Sequence, residues 1–121
     1  MALVASYLPN TNTAQLASDG DTKVDLTFGS MPSNGLGGDC ILGFTVTTAN
    51  FPDLKVEARL NDGPVIFTSG PPSTSNRRFY EQVTFNGLQS GPINNKVTFK
   101  IVAGSGFYFV TGAVIWLRLN T

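Results

Sequence analysis

From Lys23 to Phe28 the chain alternates, with Val24, Leu26 and Phe28 on one side and Lys23, Asp25 and Thr27 on the other. Successive side chains of a strand point to opposite faces, so this run predicts a strand with one face in a core and one in water. The pattern recurs at Leu42, Phe44 and Val46 within a strand expected from Cys40 to Ala49, and at Leu54, Val56, Ala58 and Leu60. It recurs again at Phe79, Val83 and Phe85, and at Val97, Phe99 and Ile101. Glu81 interrupts the apolar side of its run, which predicts an edge or strand-end position, since a buried carboxylate would need a cation beside it. No window of twelve residues shows a helical apolar period.

Turn chemistry separates these runs. Asp62-Gly63, followed by Val65-Ile66-Phe67, predicts a hairpin whose second strand is displaced by Pro64. Ser30 to Asp39, with Pro32, Asn34-Gly35 and Gly37-Gly38, predicts a long surface loop, and Ser69 to Asn76 an exposed linker. Asn86-Gly87 and Ser90-Gly91-Pro92 predict further turns. The expected fold is all-β: a single-domain antiparallel β-sandwich, jelly-roll-like, of about eight strands. Residues 23–121 would form the sandwich and residues 1–22 an N-terminal arm or edge strand.

The last part of the chain departs from alternation. Phe107-Tyr108-Phe109-Val110 and, past Thr111-Gly112, Ala113-Val114-Ile115-Trp116-Leu117 are apolar at odd and even positions alike. One face of an antiparallel sheet normally meets solvent, so apolar residues on both faces predict a partner on the outer one. Phe107, Tyr108, Phe109, Val114 and Trp116 are the expected anchors of a symmetric, cyclic homo-oligomeric interface. Gly112 is expected to mark a bulge or tight bend.

Charge strengthens the expectation of assembly. Eight basic and eight acidic residues give a net charge of zero, and charged residues make up 13% of the chain, about half the ~25% of an ordinary domain. A weakly charged surface does little to keep copies apart. Without a basic face, nucleic-acid binding is not expected. No apolar run approaches the ~20 residues of a membrane-spanning helix. The stretch Met1 to Pro9 has no basic start and is broken by Ser6, so no signal peptide is expected.

Candidates for chemistry are few. The chain has no histidine, which removes the commonest general base and a common metal ligand. Its single cysteine, Cys40, is followed by Ile41-Leu42 and is expected to be a small buried hydrophobe. The acidic residues fall mostly in turns or on solvated strand faces, without the flanking apolar groups that raise a catalytic carboxyl, and no enzyme activity is expected. Asp19-Gly20-Asp21 lacks the length of a calcium loop and is expected to be a turn. Gly35 to Gly38 lacks the Gly-Lys-Ser/Thr ending of a phosphate cradle. No cofactor or metal is expected.

The stretch from Val97 to Gly112, with its Ala-Gly-Ser-Gly turn and following Phe/Val strand, resembles the closing hairpin of bacterial TNF-like jelly-roll lectin domains. No ligand residue is carried across from that resemblance. Two functions follow as expectations. The first is a non-enzymatic structural or assembly protein, a phage or viral virion component such as a head decoration, cement or spike, exposed on the virion surface and contacting its own copies or a larger shell protein. The alternative is an oligomeric carbohydrate-binding module, whose glycan contacts would be Asn76, Arg77, Arg78, Tyr80 and Asp39.

Overall fold

The computed structural model describes residues 3–9, 12–49, 54–69, 77–90 and 94–120. Among the described residues, nine strands form two antiparallel sheets: β1 (Leu3–Pro9), β2 (Ala14–Ala17), β3 (Lys23–Gly29), β4 (Gly35–Ala49), β5 (Lys55–Leu60), β6 (Val65–Thr68), β7 (Arg77–Phe85), β8 (Asn95–Ala103) and β9 (Phe107–Asn120). The larger sheet runs β1-β9-β4-β7, with β2 also paired to β9, and the smaller runs β3-β8-β5-β6. The fold is a jelly-roll-like β-sandwich. Each alternating run turns its apolar side inward. Leu26 and Phe28, then Leu42, Phe44 and Val46, then Val56, Ala58 and Leu60, and finally Val97 and Phe99 close one core between the sheets.

Phe44 ties the layers together. Its ring lies 5.3 Å from Phe67 and 5.2 Å from Phe99, both edge-on. Edge-to-face contact places the positive rim of one ring on the negative face of another, adding to the burial of all three. Glu81 lies on β7, the edge strand of the larger sheet, half-buried and opposite Phe44, in the edge position its pattern predicts.

Four expectations are corrected. The strand expected from Cys40 starts at Gly35, so the loop before it shrinks to the Pro32–Asn34 turn closed by Gly35 N–H to Pro32 O at 2.8 Å. The glycines serve a wide bulge: β4 pairs with β9 at Leu36↔Arg118 and next at Ile41↔Trp116. A Cβ on Gly37 would collide with the Leu88 carbonyl, so the close approach of these two backbones requires glycine. The β5–β6 turn is centred on Asn61-Asp62, one residue earlier than Asp62-Gly63. Both have positive φ, 51° and 58°, and Gly63 N–H donates to Leu60 O at 2.8 Å. That is the turn whose twist suits a hairpin, and Asn and Asp tolerate it among non-glycine residues. The last correction concerns Val97 to Gly112: β8 and β9 lie in different sheets, so their link is a crossover between layers, not a hairpin.

The doubly apolar segment is one strand of fourteen residues. It occupies the middle of the larger sheet, with β4 along one edge and β1 and β2 along the other. Its bulge falls where Gly112 predicts it: Thr45 faces Thr111, whereas Gly43 faces Val114, and Gly112 has φ +60°. The extra residue reverses parity. Before it Tyr108 and Val110 point into the core; after it Ala113, Ile115 and Leu117 do. β1 lies along β9 at the edge of the larger sheet, and Ala14 and Leu16 of β2 are fully buried in the same core. Beyond Ser69, the predicted Ser69–Asn76 linker lies outside the described residues, as does Gly91-Pro92 of the predicted turn there.

Candidate functional site

Strand register assembles the candidate site on the outer face of the larger sheet. One row crosses four strands as Tyr7, Trp116, Ile41 and Thr84. At about 4.8 Å between strands the row spans about 14 Å. The next row holds Val114, Gly43 and Gln82, and the one after it Thr111, Thr45 and Tyr80. Further along, Gln15 faces Phe109, which faces Thr47. Tyr7 and Trp116 pack with ring centroids 5.5 Å apart and planes tilted by 50°, and remain 56% and 43% exposed, while Phe107 and Phe109 lie 6.0 Å apart and half-buried.

Gly43 determines how Tyr80 sits. A Cβ at residue 43 would clash with the Tyr80 hydroxyl oxygen and lie 2.9 Å from the ring carbon that bears it. The phenol therefore crosses the bare glycine backbone, and the residue is still 55% exposed. Backbone supports the ring from below, which leaves an aromatic surface for a ligand to stack on.

The face is nearly free of charge. Among the described side chains on it, the charged pair is Arg118 with Asp39 at the rim, Arg118 Nη2 donating to Asp39 Oδ2 at 2.9 Å, and Arg78 takes a register position on the same face, opposite Thr47. Asp39 is exposed in the β4 bulge at φ 53°, with its N–H held by Asn86 Oδ1 at 2.8 Å. The smaller sheet presents the opposite chemistry, with Lys23, Asp25, Glu57, Arg59, Lys96 and Lys100 on its outer side. Among the described side chains, the larger sheet's outer surface is thus aromatic and sparse in charge, and the smaller sheet's is charged.

Most of the residues singled out from sequence meet on the aromatic face. Trp116, Val114, Phe107 and Phe109 share it with Tyr80, and Asp39 stands at its rim, so the expected interface anchors and glycan contacts occupy one surface. Tyr108 does not belong there. It is 2% exposed, inside the chain's own core, because the strand parity before the Gly112 bulge turns it inward. Burial, with Glu81 nearby, pushes its phenol well above the ordinary tyrosine range. Arg77 and Arg78 occupy register positions opposite Thr48 and Thr47, their side chains undescribed, and Asn76 lies outside the described residues. Tyr7, Ile41, Gly43 and Gln82 were not singled out, since only register brings them to Trp116 and Tyr80.

Cys40 is buried, and its thiol donates to the carbonyls of Leu36 and Gly38 at 3.6 and 3.8 Å. Burial first, and then Asp39, push the thiol up, which suits the inert packing role expected of it. Asp19-Gly20 forms a turn closed by Gly20 N–H to Ala17 O at 3.1 Å.

No known protein family matches this sequence, and no curated protein matches it either. Solved structures do resemble the fold. Dimeric latent PorU from Porphyromonas gingivalis superposes with a TM-score of 0.63 at 11% identity, over 98% of this chain and 13% of PorU. The exo-β-1,3-galactanase of Phanerochaete chrysosporium, crystallised with galactose, gives 0.53 at 16% identity, over 95% of this chain and 29% of the enzyme. The K3 cleaved adhesin domain of Lys-gingipain from Porphyromonas gingivalis gives 0.51 at 13% identity, over 93% of this chain and 99% of that domain. The chain thus spans less than a third of the first two proteins and nearly all of the third. At such identities the likeness is one of fold.

Proposed function

We propose that this chain is a non-catalytic carbohydrate-binding module that holds a neutral glycan on the outer face of its larger sheet. The observation that carries the reading is the aromatic platform: Tyr80 laid across Gly43, with the Tyr7–Trp116 pair exposed two strands away. Sugar rings present C–H faces that pack on aromatic rings, and their hydroxyls need uncharged donors and acceptors at the margin. Gln82, Thr84, Thr45 and Thr111 supply that margin, and the sparse charge suits a neutral ligand. Tyr80 and Asp39 keep the roles sequence reasoning gave them, one as platform and one at the rim. That a galactanase crystallised with galactose and an adhesin domain share the fold is consistent with this reading.

The test is a glycan array followed by calorimetric titration of the best neutral oligosaccharide. Tyr80→Ala and Trp116→Ala should each weaken binding about tenfold, the equivalent of about 1.4 kcal/mol. If no glycan binds, or both variants bind like the parent, the proposal fails.

The second reading, an assembly protein such as a virion decoration, cement or spike, has its own support. The face measures on the order of 650 Å², taking about 3.3 Å per residue along β9 and about 14 Å across four strands, close to one partner's share of a standard interface. Its aromatic enrichment and charge depletion match interface cores. Sedimentation distinguishes the two readings: a concentration-dependent oligomer abolished by Trp116→Glu, with no glycan bound, would favour assembly.

A further inference from the structure

We propose that the outer face of the smaller sheet holds a second binding site, for an oxyanion, built on Lys23 and Lys100. These residues are direct partners across β3 and β8, and both are exposed. Like charges directly opposite one another destabilise a sheet; Glu57 faces Lys100 from the other side, across β5 and β8, and an anion between the two lysines would offset the positive charge that remains. The neighbouring carboxylates are committed elsewhere. Glu57 takes Arg59 Nε at 3.0 Å, Asp62 takes Lys96 Nζ at 3.0 Å, and Asp25 accepts the Thr98 hydroxyl at 2.7 Å with Lys96 at 3.9 Å. Among the described residues, Lys23 and Lys100 form no ion pair.

A cleft of about 280 Å³ opens at this point, lined by Lys23, Lys100, Arg59, Thr98 and Asp62. Asp62 also lines a second cleft of about 440 Å³, whose walls include Asn61, Gln89 and Asn94. The two clefts share Asp62, with Lys23, Lys100 and Arg59 at one end and the amides, together with Thr27 and Lys96, at the other. Hydrogen bonds link the residues at the amide end. Buried Asn95 accepts from Asn61 Nδ2 at 3.0 Å and from Gln89 N–H at 2.8 Å, and donates to Gln89 O at 2.8 Å. An oxyanion between the two ammonium groups, with a polyhydroxylated body reaching over the amides, would use both ends. The chemistry is that of a sulfate group, whether borne on a saccharide or free in solution. This site lies on the opposite side of the sandwich from the aromatic platform and stands whether or not that platform binds sugar.

The test is an amide chemical-shift titration of the ¹⁵N-labelled protein at constant ionic strength with inorganic sulfate, a sulfated disaccharide and its unsulfated parent. Saturable shifts at Lys23, Thr98 and Lys100 are expected with both sulfated probes and not with the parent. If the disaccharide binds at least tenfold tighter and its shifts spread to Asn61, Gln89 and Asn94, the group is carried on a saccharide. Equal affinity, with shifts confined to the lysines, assigns a free-anion site. Lys23→Gln/Lys100→Gln should keep the dispersed spectrum and lose the saturable shifts. The proposal is overturned if neither sulfated probe gives saturable shifts, or if the double variant responds like the parent.

Discussion

Tyr108 shows how much a single side chain owes to its neighbours. Its hydroxyl finds no hydrogen-bond partner among the described residues, and neither does that of Thr48, its direct partner across β4 and β9. A buried hydroxyl without a partner keeps its desolvation cost, so Tyr108→Phe should stabilise the fold by about 1 kcal/mol, raising Tm by about 5 °C in a thermal melt. The same residue predicts an alkaline limit. Its folded pKa is raised, mainly by burial and also by Glu81, whereas in the unfolded chain it ionises near the ordinary value of about 10. Below that pH both states hold the proton and stability is intact. Above it the unfolded state has lost its proton while the folded state keeps it, so stability should fall by up to about 1.4 kcal/mol per pH unit. Denaturant titrations between pH 9 and 12 should show this slope in the parent, reduced in Tyr108→Phe.

At the scale of the element, β9 depends on one residue. Alternation alone would put Trp116 on the same side as Tyr108 and Val110, in the core. The additional residue at Gly112 reverses the strand, so Ile115 is buried and Trp116 is exposed. Nothing lies within 4 Å of a Cβ at Gly112, so a substitution there meets the cost of its +60° φ and no clash. Gly112→Ala should therefore cost about 1–2 kcal/mol by chemical denaturation, and Gly112→Asn less, because asparagine enters the left-handed region more readily. Equal costs for the two would show that φ is not what matters. The Gly43–Tyr80 pair is governed differently: there a Cβ would meet the far end of the exposed Tyr80 side chain, which would have to move, and the backbone angle is not at issue.

For the whole molecule, the junction between the sheets decides stability. Phe44 comes from the larger sheet, Phe67 and Phe99 from the smaller, and all three meet in the core. Phe44→Ala should cost about 3–5 kcal/mol, a large part of the 5–15 kcal/mol typical of a domain. Both sheets should still unfold in one transition, with the denaturant slope unchanged; two separated transitions would mean that the sheets are stabilised independently. The division of the outer surfaces, one aromatic and sparse in charge and the other charged, exists only at this scale.

The alternating runs from Lys23 to Phe28, around Phe44, from Leu54 to Leu60 and around Phe99 were enough to determine an all-β sandwich and much of its core, because burial on one face of a strand imprints a period of two. The Gly112 bulge and the edge position of Glu81 were legible for similar local reasons: a glycine breaking an apolar strand, and a charge on an apolar side. Other features were settled by pairing between distant segments. The glycine-rich stretch before Cys40 read as loop because nothing local revealed that Leu88 would press on Gly37. Trp116, Tyr7, Ile41 and Tyr80 come from four strands and meet only through register, which sequence alternation does not specify. Tyr108 and Trp116 looked equivalent in a doubly apolar run; the tertiary structure separated them, since the bulge sends one into the core and leaves the other on an aromatic face open to a ligand.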